Sequence, residues 1–269
     1  MQLFFRKIGN GETALIILHG LYGASDNWLT LGKKWSEFYT VYLLDLRNHG
    51  QSPHSNIHSY QAMQDDVLHF MNDNKIPDAI ILGHSMGGKV AMHLALNSPQ
   101  HVKALIVVDI APKNYTALNA SSLNQHKAII RSMLNINLEK LRKRADINTL
   151  LASSIPEKRI RQFIMKNLKR NPDQSFSWKL NLEVLFREIG NLTQGFPTPQ
   201  DVEAVSSFPV LFVRGEQSNY ILKSDEPTIL NYFPLAKIQS IPNAGHWLHA
   251  EQTELFEKLV LAFLNPHFC

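Results

Sequence analysis

The 269 residues predict an α/β protein: a mostly parallel sheet with helices on both faces, interrupted once by a helical insertion. Three observations predict it. Short unbroken apolar runs recur, such as ALIIL at 14–18, AIIL at 79–82, ALIVV at 104–108 and VLFV at 210–213. Strands buried on both faces of a sheet read this way. Segments with apolar residues at helical spacing lie between the runs. Finally, Gly20, Asp45, Ser85, Asp109, Gly215 and His246 come soon after successive runs, and ligands bind beyond the carboxyl ends of strands in such sheets.

Taken in order, residues 3–6 read as a strand followed by a Gly9-Asn10-Gly11 turn. Residues 14–18 form the first fully buried strand. Residues 25–38 place Trp28, Leu31 and Trp35 on one helical face. Residues 41–44 are the next strand. In the helix at 59–71, Ser59 is a suitable N-cap, with Met63, Val67, Phe70 and Met71 facing inward. A strand at 79–82 runs into a helix at 86–96, where Gly87 and Gly88 allow close packing on the sheet. The strand at 104–108 follows. Residues 113–200 then offer helices and no strand. One starts near Ser121 or Ser122, and a second is capped by Asn137. A third, at 157–168, carries Ile160, Phe163, Ile164 and Leu168 on one face. The fourth, at 180–189, is closed by Gly190. Alternation resumes with strands at 210–214 and 237–241 and helices at 225–232 and 253–263. The organisation expected is a core of residues 1–112 and 201–269, with a helical cap at 113–200 inserted after the sixth strand.

Composition narrows the class. An apolar fraction of 44% and a charged fraction of 19% are those of an ordinary soluble globular protein. No apolar run approaches the roughly 20 residues of a membrane span, and the N-terminal stretch lacks the layout of a signal peptide. The single cysteine, Cys269, excludes an intrachain disulfide and suits a cytoplasmic location. Charge is uneven. Residues 113–187 hold 15 Lys/Arg against 5 Asp/Glu, although the whole chain carries only +4. Solvated helix faces explain such a balance, and so does attraction for an anionic ligand. No nucleic-acid motif accompanies the charge.

The motif with chemical content is Gly83-His84-Ser85-Met86-Gly87, of the form G-x-S-x-G between a strand and a helix. A serine hydroxyl there needs a base to take its proton and donors to hold the oxyanion that forms. Ser85 is the candidate nucleophile. The base expected from the chain order of this architecture is a histidine after the last strand, and His246 in Asn243-Ala244-Gly245-His246-Trp247 stands there.

Four stretches together carry a family resemblance: Leu18-His19-Gly20-Leu21, Asp45-Leu46-Arg47-Asn48-His49-Gly50-Gln51-Ser52, Gly83 to Gly88, and Gly245-His246. Across nearly its whole length the chain resembles the α/β-hydrolase family. The Arg-Asn-His-Gly form, Val108-Asp109-Ile110-Ala111-Pro112, Ser25-Asp26-Asn27-Trp28, and Trp178 with Asn181 are similar to a small group of bacterial and mitochondrial esterases and thioesterases. The resemblance implies a Ser-acid-His triad and an oxyanion hole made of the backbone N–H groups of Leu21 and Met86. It also implies a cap that forms an acyl pocket, with Trp178, Trp247 and Tyr220 as lining candidates.

The acid departs from the commonest family pattern, because Ser218 stands where an Asp is expected. Asp109 is the leading candidate, in a position used by the similar subgroup. Glu216 and Asp225 are the alternatives, and Ser218 or Asn219 could add hydrogen bonds to the network. Asp45 and Arg47 read as a turn and ion-pair network. His84 reads as packing or hydrogen bonding beside the nucleophile. His49, His54 and His58 lack acidic or cysteine partners at zinc-ligand spacing, and no dinucleotide or phosphate loop is present, so no cofactor is expected. The expected activity is hydrolysis of short- to medium-chain acyl esters or acyl-CoA thioesters, with an acyl-CoA or an acyl-carrier protein docking on the basic cap. A carbon–carbon bond hydrolase or lyase, or a non-catalytic ligand receptor, would fit the same scaffold.

Overall fold

The computed structural model describes residues 1–115, 120–194 and 196–268. The chain begins with β1 (Phe5–Ile8) and β2 (Ala14–Leu18), then α1 (Leu29–Trp35), β3 (Thr40–Leu44), α2 (Tyr60–Asp73), β4 (Ala79–His84), α3 (Met86–Asn97) and β5 (Val102–Val108). It leaves the sheet for α4 (Ala120–Leu134), α5 (Arg144–Ala152), α6 (Lys158–Met165), the hairpin β6 (Leu168–Arg170) and β7 (Phe176–Trp178), and α7 (Leu182–Gln194). It returns through β8 (Val210–Gly215), α8 (Glu226–Tyr232), β9 (Lys237–Ile241), α9 (Leu248–Glu251) and α10 (Thr253–Phe268).

Seven strands form one sheet in the order β1-β3-β2-β4-β5-β8-β9. Every pairing is parallel except β1 with β3. The period of two along each strand divides the core. Ile16, Leu18, Leu44, Ile81 and Val107 pack with α2 and α3 on one side. Leu15, Ile17, Leu43, Leu82 and Val108 pack with Trp28, Trp35 and α10 on the other. Leu18 lies level with Leu44 and Gly83, and Val108 lies level with His84 and Val213. The segments leaving β2, β3, β4, β5 and β8 therefore meet at one edge.

Three expectations change. The insertion follows the fifth strand in chain order, not a sixth, because only the antiparallel β1 precedes the parallel run. It also contains a small sheet, since β6 and β7 pair antiparallel over three residues each. Strands that short show no alternation in sequence. Gly190 does not end its helix. α7 continues to Gln194 and buries Leu192. The side chains of Ser121 and Ser122, candidates for a cap, lie outside the described residues. The insertion is tied to the core by Asn181, whose N–H donates to the Asn48 carbonyl at 3.1 Å and whose side-chain amide donates to Asn48 Oδ1 at 3.0 Å.

Candidate active site

The turn from β4 into α3 sets the geometry. Ser85 has φ 52° and ψ −116°, in the left-handed half of backbone space that a side chain enters only under constraint. Flanking hydrogen bonds supply that constraint. The Ser85 N–H donates to the Val108 carbonyl at 3.0 Å, and the Ser85 carbonyl accepts from the Lys89 N–H at 3.0 Å. Gly87 makes room for the turn, because a Cβ there would sit 2.4 Å from the Leu18 carbonyl oxygen. Met86 is the first residue of α3, so its N–H has no intrahelical partner.

Asp109 ends β5 with φ 51° and no exposure. Its N–H donates to the Val213 carbonyl at 2.8 Å. Its carboxylate accepts from three donors. His246 Nδ1–H reaches Oδ2 at 2.8 Å, the Gly215 N–H reaches Oδ1 at 3.1 Å, and the Ser218 hydroxyl donates to Oδ2. A carboxylate so satisfied holds the imidazole with Nδ1 protonated, leaving Nε2 available as a base. His246 is 19% exposed. Tyr220 stacks on its ring with centroids 4.0 Å apart. Beneath it, His84 Nε2–H donates to the His246 carbonyl at 2.9 Å. Burial and the neighbouring His246 and His249 hold His84 well below the ordinary histidine range, so its ring is a neutral strut.

The segment carrying Leu21 is held by two more buried histidines. His19 Nδ1–H donates to the Gly20 carbonyl at 2.8 Å, while its Nε2 accepts from the Leu46 N–H at 3.0 Å. His49 Nδ1–H donates to the Arg47 carbonyl at 3.0 Å, and its Nε2 accepts from the Tyr22 N–H at 3.3 Å. Burial lowers the pKa of both, which matches rings that donate at one nitrogen and accept at the other. From the insertion, the side-chain amide of Asn167 donates to the Tyr22 carbonyl at 2.8 Å.

Ser85, His246, Leu21 and Met86 line one cavity of about 210 Å³. Its walls are mostly apolar, with Ile110, Ile129, Ile160, Phe163 and Ile189 among them. Of the three side chains proposed for the pocket, Trp247 and Tyr220 line it. Trp178 does not. It lies on β7, and its indole N–H donates to the Met133 carbonyl at 3.2 Å, inside the insertion. Glu216 is exposed and accepts from the Asn243 N–H, while the imidazole Nδ1–H goes to Asp109. Asp225 pairs with Lys113 at 2.6 Å and caps the turn at Leu222. Arg47 forms a two-pronged pair with Asp66 at 2.6 and 2.8 Å. Asp45 accepts from the Ser25 and Gln51 N–H groups, and its carboxylate fills the space beside Gly50, where φ is 59°.

Sequence reading passed over Lys89, Tyr60, Tyr115 and His126, all of which line the cavity. For Lys89 the signal was present. It lies four residues after Ser85 on a helix whose first seven residues are all buried.

Comparison with known proteins agrees with this architecture. The family described as alpha/beta hydrolase fold matches residues 13–253. An sn-1-specific diacylglycerol lipase ABHD11 from Danio rerio is 36% identical over 96% of this chain and 80% of its own. A putative esterase/lipase from Haemophilus influenzae is 34% identical over 94% of this chain and 83% of its own. The solved structure of a marine microorganism esterase superposes with a TM-score of 0.93 at 40% identity, covering 98% of this chain and 99% of that one. On sequence and sheet order alike, the chain belongs to the α/β-hydrolase family.

Proposed function

We propose that the protein is a serine ester hydrolase working through Ser85, His246 and Asp109. The observation that carries this reading is the 2.8 Å His246–Asp109 hydrogen bond at the edge of a cavity that also contains Ser85 on its strained turn. In the proposed reaction, Ser85 Oγ attacks the acyl carbon while His246 Nε2 takes its proton. The backbone N–H groups of Leu21 and Met86 stabilise the oxyanion, each worth roughly 3–4 kcal/mol of barrier. The protonated imidazole gives its proton to the departing alcohol or thiol. Water, deprotonated by the same nitrogen, then frees the acid from the acyl-enzyme.

The apolar walls favour a short or medium acyl chain. Residues 113–200 act as the cap over residues 1–112 and 201–269. A thioester such as an acyl-CoA, or an acyl-carrier protein bearing its acyl group, is the proposed finer substrate class. Its support is the basic insertion, whose Arg159 pairs with Glu251 at 2.9 Å beside Trp247, a residue of the cavity wall. That guanidinium stands 5.5 Å over the ring of Trp247. Labelling by a fluorophosphonate, with the mass increase located on Ser85, together with repeated turnover of p-nitrophenyl esters, tests the reaction. An unlabelled Ser85 and no turnover would reject it. Salt dependence of kcat/KM tests docking: it should be steeper for an acyl-CoA than for a neutral ester, and equal slopes would reject the anionic contact.

A further inference from the structure

Lys89 is a buried cation in an apolar cavity. It is 1% exposed and lies one turn along α3 from Ser85, about 6 Å along the helix axis. Nζ donates to the Lys113 carbonyl at 2.9 Å. Otherwise it faces aromatic rings: Tyr115 at 5.1 Å, Tyr60 at 5.6 Å and Phe196 at 5.9 Å. The neighbouring hydroxyls donate elsewhere, Tyr60 to the Leu192 carbonyl at 2.8 Å and Tyr115 to the Tyr220 carbonyl at 2.5 Å, and neither oxygen accepts from Nζ among the described contacts. Among the described residues, no carboxylate forms an ion pair with Lys89. Asp225, across the same region, is paired with Lys113.

An uncompensated buried ammonium is costly, and an apolar side chain of similar length would fill the same space at less expense. Packing alone therefore does not account for a lysine here. Cation–π contact offsets part of the cost, but two of the three ammonium protons still lack a hydrogen-bonded oxygen among the described contacts. Burial, with Lys113 nearby, pulls Lys89 down to about 7. Its charge is thus stabilised most when an anion arrives.

We propose that Lys89 receives an anionic group at the far end of the acyl chain, so that the preferred substrates are monoesters or monothioesters of short dicarboxylic acids. This rests on the serine-hydrolase reading and specifies its substrate. With the ester carbonyl at Ser85, a chain of about four to six carbons spans one helical turn and brings a terminal carboxylate to Nζ. Ser85 remains the nucleophile, and Lys89 only binds.

The test compares kcat/KM at pH 7 for monoethyl succinate, glutarate and adipate with ethyl butanoate, pentanoate and hexanoate, using the whole chain. At least one anionic ester should exceed its neutral partner by about tenfold, and Lys89→Met should reduce that ratio at least tenfold. Preference for the neutral ester in every pair would overturn the proposal, as would an equal fall of both members in Lys89→Met. If that variant does not fold, inhibition of the wild-type enzyme decides. Glutarate should inhibit at least tenfold more tightly than its uncharged diamide, glutaramide, and equal inhibition constants would overturn the proposal. Turnover of neutral esters without anionic preference defeats only the role of Lys89. No turnover of any ester, with Ser85 unlabelled, defeats the hydrolase reading and this inference with it.

Discussion

Two side chains of the site, Ser85 and Asp109, stand on left-handed backbone at φ 52° and 51°. Serine rarely enters that region and aspartate does so only as an occasional single residue, so the fold must hold them there. Their roles lead to separable outcomes. Ser85→Ala and His246→Ala should each lower kcat by about 10⁴-fold or more with an unchanged melting temperature. Asp109→Asn should lose several orders of magnitude, because the imidazole would be held in the wrong tautomer. Glu216→Gln should be silent in the same assay, and a crippled Glu216→Gln beside an active Asp109→Asn would reverse the assignment of the acid. At this scale the sequence was readable where position in the chain implies position in space. Ser85 and His246 were singled out from the G-x-S-x-G motif and the strand order, and the structure brings both to one cavity. Asp109 was singled out because it follows a strand at the same edge, and its carboxylate meets His246 and Ser218 there. Trp178 was misjudged, since nothing in sequence says which way a three-residue strand aims its indole. Lys89 was missed because a charge in a helix normally reads as a solvated face.

Among elements, the passage from β4 into α3 tolerates the least change. A Cβ at Gly87 would lie 2.4 Å from one backbone oxygen and 2.6 Å from another, those of Leu18 and His19, so β2 would have to move. Gly87→Ala should cost at least about 2–3 kcal/mol in urea denaturation and lower turnover as well, since Met86 shifts with the turn. Gly190 is the opposite case. It lies inside α7 with no heavy atom within 4 Å of a built Cβ. Gly190→Ala should therefore stabilise by about 0.5–1 kcal/mol, read as a higher urea midpoint, and a loss would show that the helix does end there. The parallel strands were legible because burial on both faces writes a continuous apolar run. The hairpin of β6 and β7 was not, because it is too short to display a period. α7 ran past its glycine because burial of Leu192 outweighs a weak local stop signal.

For the molecule as a whole, six histidines have lowered pKa values: the buried His19, His49, His58, His84 and His249, and the half-buried His126. Burial is the leading cause in each, with His58 and His126 at about 4 and His249 at about 3. In the unfolded chain these rings titrate near 6.5. Between about 6.5 and 4, then, the unfolded state binds more protons than the folded one, and stability falls as pH is lowered. Each ring contributes up to about 1.4 kcal/mol per pH unit in that window. The urea midpoint should decline steeply from pH 6.5 to 4 and hold nearly level from 6.5 to 8. A flat profile throughout would mean that the rings stay accessible to protons in the native state. The sheet and the pause in strand–helix alternation after β5 were legible at this scale, because they depend on apolar runs and their spacing. The histidine framework was not, because burial of a polar ring is decided by neighbours remote in the chain. Asn167 shows how far that dependence reaches. Its amide grips the carbonyl of Tyr22, next door to Leu21. An inserted segment grafted in without Asn167 would arrive without that grip. Any exchange of residues 113–200 must therefore inherit the segments around 19–22 and 164–168 as a single cassette.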